Sequence, residues 1–375
     1  MTVYHNSISL PGRPDVLERV TELLTKSKHQ DHYVYDKHGC WYMGFGNQSS
    51  LVVSPNGLKA TTSRGSRKEE HIIHGPITDV ARDFLSKHGR PGHKTFVAHV
   101  ESDGPPDLCR VINDNASVVA SSPAQLISTD DTAGEYTTRV KQVQKEISQG
   151  QYAKFIPSQK IQLQEKIDMP AALLHGRPAN DPARGFSLRC GGLQATGFSP
   201  ELVMSVHQGK VITEPLAGTR SGKSTEEDIN ALRQDLRTEM VVVEDLMSVR
   251  LRGSVQHLGS HVAGQLSEKT DAWDAFDVLF PSITASEIPK QPALEAIEPL
   301  EPDRRELYSG AVLMLDGDEF EAALILRTLF QDDRRQWVQA GAGIIAQSKP
   351  ERESTETREK MMESSVPFLV QENSP

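Results

Sequence analysis

Three stretches of the chain space their apolar residues three and four apart, the period of an amphipathic helix. They are DVLERVTELLTKS over 15–27, ITDVARDFLSKHG over 77–89 and EYTTRVKQVQKEIS over 135–148. The second closes on Gly89 and the third runs into Gly150, and glycine leaves a helix easily. Shorter helices are predicted for ALLHG and DAWDAFDVLF, and one for 224–239, where Ser224 and Glu227 offer a capping box. Between these lie β-type runs. HYVYD and CWYMGF flank the turn Lys37-His38-Gly39, and 51–54 and 58–61 flank Pro55-Asn56-Gly57. TFVAHVES, CRVIND and SVVASS follow. Later come QYAKFIPSQKIQL, FSLRCG, QATGF, LVMSVHQ, KVITE, VQHLGSHVAGQL, ELYSGAVLML, AALILRTLF and QWVQAGAGII. Pro157 inside one of these runs predicts an edge or a bulge. Runs of strands punctuated by helices, without strict alternation, predict an α+β layered fold, and nothing marks a domain boundary within 1–375.

Composition narrows the partners. The chain has 375 residues, 37% of them hydrophobic, and a net charge of −10, which argues against nucleic acid or an anionic membrane surface. Cys40, Cys109 and Cys190 are too few and too scattered for a disulfide framework or a zinc cluster. No apolar run reaches membrane length and the first residues lack the apolar core of a signal peptide, so the cytoplasm is the expected compartment. The pairs His29/His32 and His71/His74 have ligand spacing but no third ligand nearby.

Candidate chemistry concentrates in AGAGIIAQSKPERESTETREK over 340–360. Gly341 and Gly343 leave backbone N–H groups uncovered. Glu353, Glu356 and Lys360 then fall at i, i+3 and i+7 on one helix face, where two carboxylates and an ammonium could hold a divalent cation beside an anion. A solvated helix with ordinary ion pairs would have the same spacing. Lys154 lies between apolar neighbours, where an amine sheltered from water could act as a base or simply reach to solvent. Glu201 follows the turn residues Gly197 and Pro200. EPLAGTR over 214–220 joins a carboxylate, a glycine, a hydroxyl and an arginine, and FPSITASEIPK over 280–290 reads as a polar loop.

Taken in order, YAKFIPSQ, GFSPELV, ITEPLAGTR, GSVQHLGS, LFPSITASEIPK, LYSGAV, LILRT and AGAGIIAQSKPERESTET resemble the chorismate-utilising enzymes. That family includes anthranilate, aminodeoxychorismate, isochorismate and salicylate synthases. The resemblance is clear over 135–370 and thin over 1–130, within one chorismate-binding domain. It implies two large antiparallel β-sheets packed as a sandwich with helices outside. Lys154, where the anthranilate branch has Gln, and Ala217, where the aminodeoxychorismate branch often has Lys, point with the 280–290 loop to the salicylate synthase type. The implied substrate is chorismate, converted through isochorismate to salicylate and pyruvate without a glutaminase subunit, for a siderophore or another secondary metabolite. An isochorismate synthase or a non-catalytic chorismate-binding relative are the alternatives. The resemblance makes Lys154 the base and Glu201 the acid. It places Gly218, Thr219, His257, Tyr308, Arg327, Gly341 and Lys360 around the substrate, and Glu353 and Glu356 at Mg²⁺.

The chain departs from the family in three places. A KExxEH-type helix carrying two further Mg²⁺ carboxylates is missing after PLAGTR, with roughly 20 residues absent. Glu239 and Glu244 stand nearby, five apart and so on different helix faces. Glu287 stands where the family prefers Gly, and a strand-loop section is missing after TFVAHV.

Overall fold

The computed structural model describes residues 2–10, 12, 14–27, 31–53, 58–64, 66–88, 95–99, 130–214, 216–221, 248–252, 255–259, 262–282, 284–285 and 289–364. Its first strands are β1 (Thr2–Leu10), β2 (His32–Lys37), β3 (Cys40–Val53), β4 (Lys59–Arg64), β5 (Arg67–Ile72) and β6 (Thr95–His99). Then follow β7 (Ser158–Leu163), β8 (Arg184–Cys190), β9 (Leu193–Ser199), β10 (Leu202–His207), β11 (Lys210–Thr213) and β12 (Leu216–Ser221). The last are β13 (Ser248–Arg252), β14 (Val255–Gly259), β15 (Val262–Gln265), β16 (Ala311–Asp316), β17 (Glu319–Leu324), β18 (Thr328–Gln331) and β19 (Gln336–Gly341). The helices are α1 (Val16–Lys26), α2 (Ile77–His88), α3 (Asp130–Ser148), α4 (Met169–Ala179), α5 (Ala272–Leu279), α6 (Lys290–Leu300) and α7 (Pro350–Ser364).

Fourteen strands form one hydrogen-bonded path, β15-β11-β10-β17-β16-β6-β1-β3-β2-β8-β9-β18-β19-β7, with β4 and β5 branching from β3. The ladder turns back on itself through β6 and β1, so its two ends become facing layers. One buried cluster draws Tyr33, Tyr35, Phe186, Leu188 and Trp337 from one end and Val312, Met314 and Ala323 from the other. A polar bolt crosses the same interior. Tyr35 donates to Glu321 Oε1 at 2.6 Å, and Arg184 on β8 pairs with Glu321 on β17. Burial pushes the Glu321 carboxyl up, but Arg184, Tyr35 and Lys37 outweigh it and hold the group below the usual carboxylate range.

Strands buried on both faces explain the apolar runs. On β2, Tyr33 and Tyr35 face the interior while Val34 packs outward under α1 and α4 with Val20, Leu24 and Leu173. On β19, Trp337 faces inward and Val338 joins Met169, Ala172 and Met361 beneath α4 and α7. On the other layer, α2 and α5 cover β10, β16 and β17 through Ala81, Trp273, Phe276 and Phe320. The fold is thus α+β, two antiparallel layers with helices outside. The β2–β3 turn forms as expected, with His38 and Gly39 both at positive φ. The helices expected in these regions form as Ile77–His88, Asp130–Ser148 and Ala272–Leu279, the last capped reciprocally by Asp271 and Asp274.

Three strand expectations need correction. The run around Lys154 is irregular until Ser158, because Pro157 has no N–H to donate to a ladder. Tyr308 lies in a turn before β16, and Arg327 lies in a break between β17 and β18 at φ 49. Residues 290–300, with no clear period in the sequence, form helix α6. CRVIND, SVVASS, the 224–239 helix, Glu239, Glu244 and Glu287 lie outside the described residues.

Candidate active site

The base candidate is placed by two glycines. The segment before β7 meets the segment after β19 at one bridge, where Phe155 N donates to Ile344 O at 3.1 Å and Ile344 N to Phe155 O at 2.7 Å. A Cβ on Gly343 would lie 2.8 Å from Lys154 Cε and 3.2 Å from its Nζ, so the half-buried amine rests directly against the Gly343 backbone. A Cβ on Gly341 would collide with the Pro157 carbonyl at 2.7 Å. Tyr136 on α3 ties the same two segments together. Its hydroxyl donates to Pro157 O at 3.0 Å and accepts from Ala342 N at 3.1 Å.

The acid candidate sits on the opposite layer. Glu201, between β9 and β10, is 2% exposed, and its Oε1 accepts from Ser282 Oγ at 2.9 Å and Thr284 Oγ1 at 3.0 Å. Its backbone carbonyl accepts from Leu324 N at 3.1 Å and from Ser199 Oγ at 3.0 Å. Buried Arg305 joins the acid's loop to the base's segment. It donates to Ala285 O at 2.8 Å and to Ile156 O at 2.6 Å while pairing with Glu301 at 2.6 Å. Glu301 also accepts from Ser158 N at 2.8 Å and Ser158 Oγ at 2.9 Å. Nothing in the sequence marks Arg305 or the two hydroxyls beyond the polarity of their loops.

Two binding candidates bridge these sides. The Tyr308 turn and the Arg327 break are hydrogen-bonded to each other, Ser309 N to Ile325 O at 3.0 Å and Ile325 N to Gly310 O at 2.8 Å. Arg327 O accepts from Phe198 N at 3.2 Å, which sets its backbone beside the end of β9, two residues before the Glu201 turn begins. Burial pushes the buried Tyr308 phenol above its usual range, against a smaller opposing effect of the Arg305 charge.

Helix α7 supplies the carboxylates. Glu353, Glu356 and Lys360 share one face as their spacing required. Lys360 Nζ lies 2.8 Å from Glu356 Oε1 and donates to Gly341 O at 2.9 Å, which fastens the helix to the glycine loop. Burial and then the neighbouring Glu356 charge push the Glu353 carboxyl up to about 7, against a smaller opposing effect of Ser348 and Lys360. No group of three or more potential metal-ligating side chains occurs among the described residues. Of the remaining candidates, Thr219 pairs in register with His257 across β12 and β14, and Gly218 stands at the register shift of that pair. Helix α7 touches β12, which brings this small sheet to the same end of the molecule.

The profile of the family described as "chorismate binding enzyme" matches residues 93–240 and 237–364. The chain belongs to this family. A salicylate synthase from Mycolicibacterium paratuberculosis is 42% identical over 434 aligned positions, covering 97% of this chain and 96% of that protein. An anthranilate synthase component 1 from Aquifex aeolicus is 32% identical over 256 residues, covering 61% of this chain and 52% of that one. The solved menaquinone-specific isochorismate synthase of Escherichia coli shares the fold, with a TM-score of 0.70 at 19% identity over 98% of this chain and 95% of that one. The two matched ranges overlap at 237–240, within the stretch of sequence that has no KExxEH pattern. The alignment to the mycobacterial relative runs over 434 positions, more than the 375 residues here, so that relative carries segments this chain lacks.

Proposed function

We propose that this chain converts chorismate through isochorismate to salicylate and pyruvate. The observation that carries the reading is the identity of 42% to a salicylate synthase along nearly the whole of both chains. Lys154 supports it, since an amine held against the Gly343 backbone can take a proton from water attacking C2 of the ring. Glu201, buried on the facing layer, gives a proton to the hydroxyl leaving C4. The ring then aromatises as the C2 hydrogen passes to the enolpyruvyl methylene and the C3–O bond breaks, releasing pyruvate. In this reading Tyr308 and Arg327 are the residues for the enolpyruvyl carboxylate, Gly218, Thr219, Gly341 and Lys360 are the ring-side residues, and His257 belongs to the pocket.

Glu353 and Glu356, two oxygen-donor carboxylates on one face of α7, would fit one side of a Mg²⁺ site. Bound there, Mg²⁺ offsets the charge of an anionic substrate. With the opposing pair of family carboxylates missing, binding is weak and turnover slow. This favours a second reading, a relative that keeps the cleft and has lost most of its activity. A siderophore or similar secondary metabolite in the cytoplasm is the proposed destination of the product.

The test is chorismate incubated with the purified chain and Mg²⁺, without ammonia or a glutaminase. Salicylate and pyruvate in equal amounts are expected. Isochorismate alone would assign an isochorismate synthase, and no product beside tight chorismate binding would assign the non-catalytic relative.

A further inference from the structure

The segment that carries Lys154 keeps the register of its neighbour but not its hydrogen bonds. The β7–β19 ladder pairs Ser158 with Gly341, and the bridge beyond it pairs Phe155 with Ile344, so Pro157 stands opposite Ala342 in one continuous register. Phe155 and Ile344 exchange both backbone hydrogen bonds, at 3.1 Å and 2.7 Å. Two residues further on, Pro157 and Ala342 are the next positions of that kind. Pro157 has no N–H, which removes one of their two bonds. The other runs through a side chain. Ala342 N donates to the Tyr136 hydroxyl at 3.1 Å, and that hydroxyl donates to Pro157 O at 3.0 Å. The single phenol proton goes to the carbonyl, so the oxygen meets the Ala342 N–H as an acceptor. A hydroxyl inserted here holds the two backbones further apart than a direct bond would. Its ring is fixed, fully buried among Val140, Val143, Phe155 and Ile344. Burial also pushes the phenol well above its usual range, so the group stays neutral.

We propose that Tyr136 is a positioning residue whose inserted hydroxyl sets the gap between the 154–157 and 341–344 segments and so places the Lys154 amine against Gly343. The fit leaves no slack on the glycine side. A Cβ on Gly343 would lie 2.8 Å from Lys154 Cε, and one on Gly341 would lie 2.7 Å from Pro157 O. Any shift of one segment against the other therefore moves the amine or presses it onto the glycine backbone. This rests on the proposed reaction, in which Lys154 takes a proton from the attacking water in the first step and the second step moves hydrogen within the substrate. Tyr136 acts through Lys154 and so governs the first step selectively. It exchanges no proton itself.

The experiment compares Tyr136→Phe and Val140→Ala with the unmodified chain on chorismate and, separately, on isochorismate. Tyr136→Phe keeps the ring and removes the hydroxyl, whereas Val140→Ala opens space in the same buried cluster and leaves the hydroxyl in place. Tyr136→Phe is expected to lower kcat on chorismate by about a hundredfold, the size of a ~1 Å misplacement of a reacting group, and kcat on isochorismate by roughly a tenth of that factor or less. KM is expected to change little for either substrate. Val140→Ala is expected to lower the melting temperature without separating the two substrates. Equal losses on both substrates in Tyr136→Phe, or the same selective loss in Val140→Ala, would reduce Tyr136 to packing and overturn the proposal. A second measurement works without turnover. In a chain carrying ¹³C-labelled lysine and glycine, the signal lost in Lys154→Gln identifies that side chain, and a nuclear Overhauser contact from its Hε to the Gly343 Hα is expected. Tyr136→Phe is expected to weaken this contact, and an unchanged contact overturns the proposal. If the unmodified chain processes neither substrate, the functional reading fails, and the Overhauser contact still decides whether Tyr136 places the amine.

Discussion

Glu201 and Glu353 are both carboxylates withdrawn from water at the same end of the sandwich, yet their surroundings are opposite. Around Glu201 the protein supplies two hydroxyl donors on one oxygen and a loop braced by Arg305. Around Glu353 it supplies a second carboxylate, Glu356, whose own partner Lys360 is shared with the Gly341 carbonyl. The first environment supplies hydroxyl donors to a buried carboxyl. The second sets two carboxylates on one helix face, where burial and then the Glu356 charge push the Glu353 carboxyl up. Paired carboxylates with divergent environments are a recurrent way for one site to separate proton chemistry from charge compensation.

The largest expected effect falls on Lys154, the proposed base. Lys154→Gln is expected to lower the rate on chorismate by about two to four orders of magnitude while the circular dichroism spectrum stays unchanged. Near-normal turnover would remove Lys154 from the reaction and leave Glu201 without its counterpart.

The next effect tests whether the acid side is complete because Arg305 joins it to the base's segment. Arg305→Ala leaves Glu301, with the Ser158 hydrogen bonds, as a buried charge without its guanidinium. Denaturant unfolding is expected to show a loss of about 3–5 kcal/mol. A loss no larger than that of a surface ion pair would mean that the two segments hold their places independently.

A smaller effect, with a definite sign in pH, belongs to Glu353. Its carboxyl has an ordinary value of 4.5 and is held near 7 in the folded chain. Between those values the folded state binds more protons than the unfolded one, so stability falls as pH rises through that window and the full penalty is present above it. Glu353→Gln is expected to flatten this slope and to stabilise the chain at pH 8 by about 2–3 kcal/mol, after allowance for partial solvent screening. Mg²⁺ at pH 8 is expected to raise the melting temperature of the unmodified chain modestly and that of Glu353→Gln not at all. Equal responses would show that this carboxylate pair is not where the cation acts.

Much of this contrast was readable in the chain. Glu353, Glu356 and Lys360 lie within one helix, so their spacing alone placed them on one face, and the Glu356–Lys360 pair forms as that spacing requires. The strands also announced themselves, because β2 and β19 are buried on both faces and so read as apolar runs. What surrounds Glu201 was not readable, since Ser282 and Thr284 stand 81 and 83 residues away in a loop without periodicity. Helix α6 was hidden by Pro292 and Pro299, although the first falls in the opening turn, where proline sacrifices no intrahelical hydrogen bond. The strand assigned around Lys154 failed for a local reason, the missing N–H of Pro157, and the irregular backbone there is what carries the amine to Gly343.

The smallest of the expected effects concerns binding. Arg327→Ala deletes a charge-assisted contact worth about 1.5–3 kcal/mol, so KM for chorismate is expected to rise by roughly tenfold to a hundredfold with kcat less affected. An unchanged KM would take Arg327 out of the substrate's contacts and leave its positive φ without a functional reason.

The most direct test of the account follows the oxygen atom of water. If Lys154 activates water for attack at C2 and Glu201 sends the C4 oxygen away, turnover of chorismate in ¹⁸O-enriched water yields salicylate with one heavy oxygen at its phenol. The pyruvate formed beside it derives no oxygen from that attack when sampled before its carbonyl exchanges with solvent. Mass spectrometry of the early products is expected to show this single label in salicylate, reduced in amount but not in position by Lys154→Gln. Salicylate without label would contradict water addition at C2 and with it the paired roles of Lys154 and Glu201.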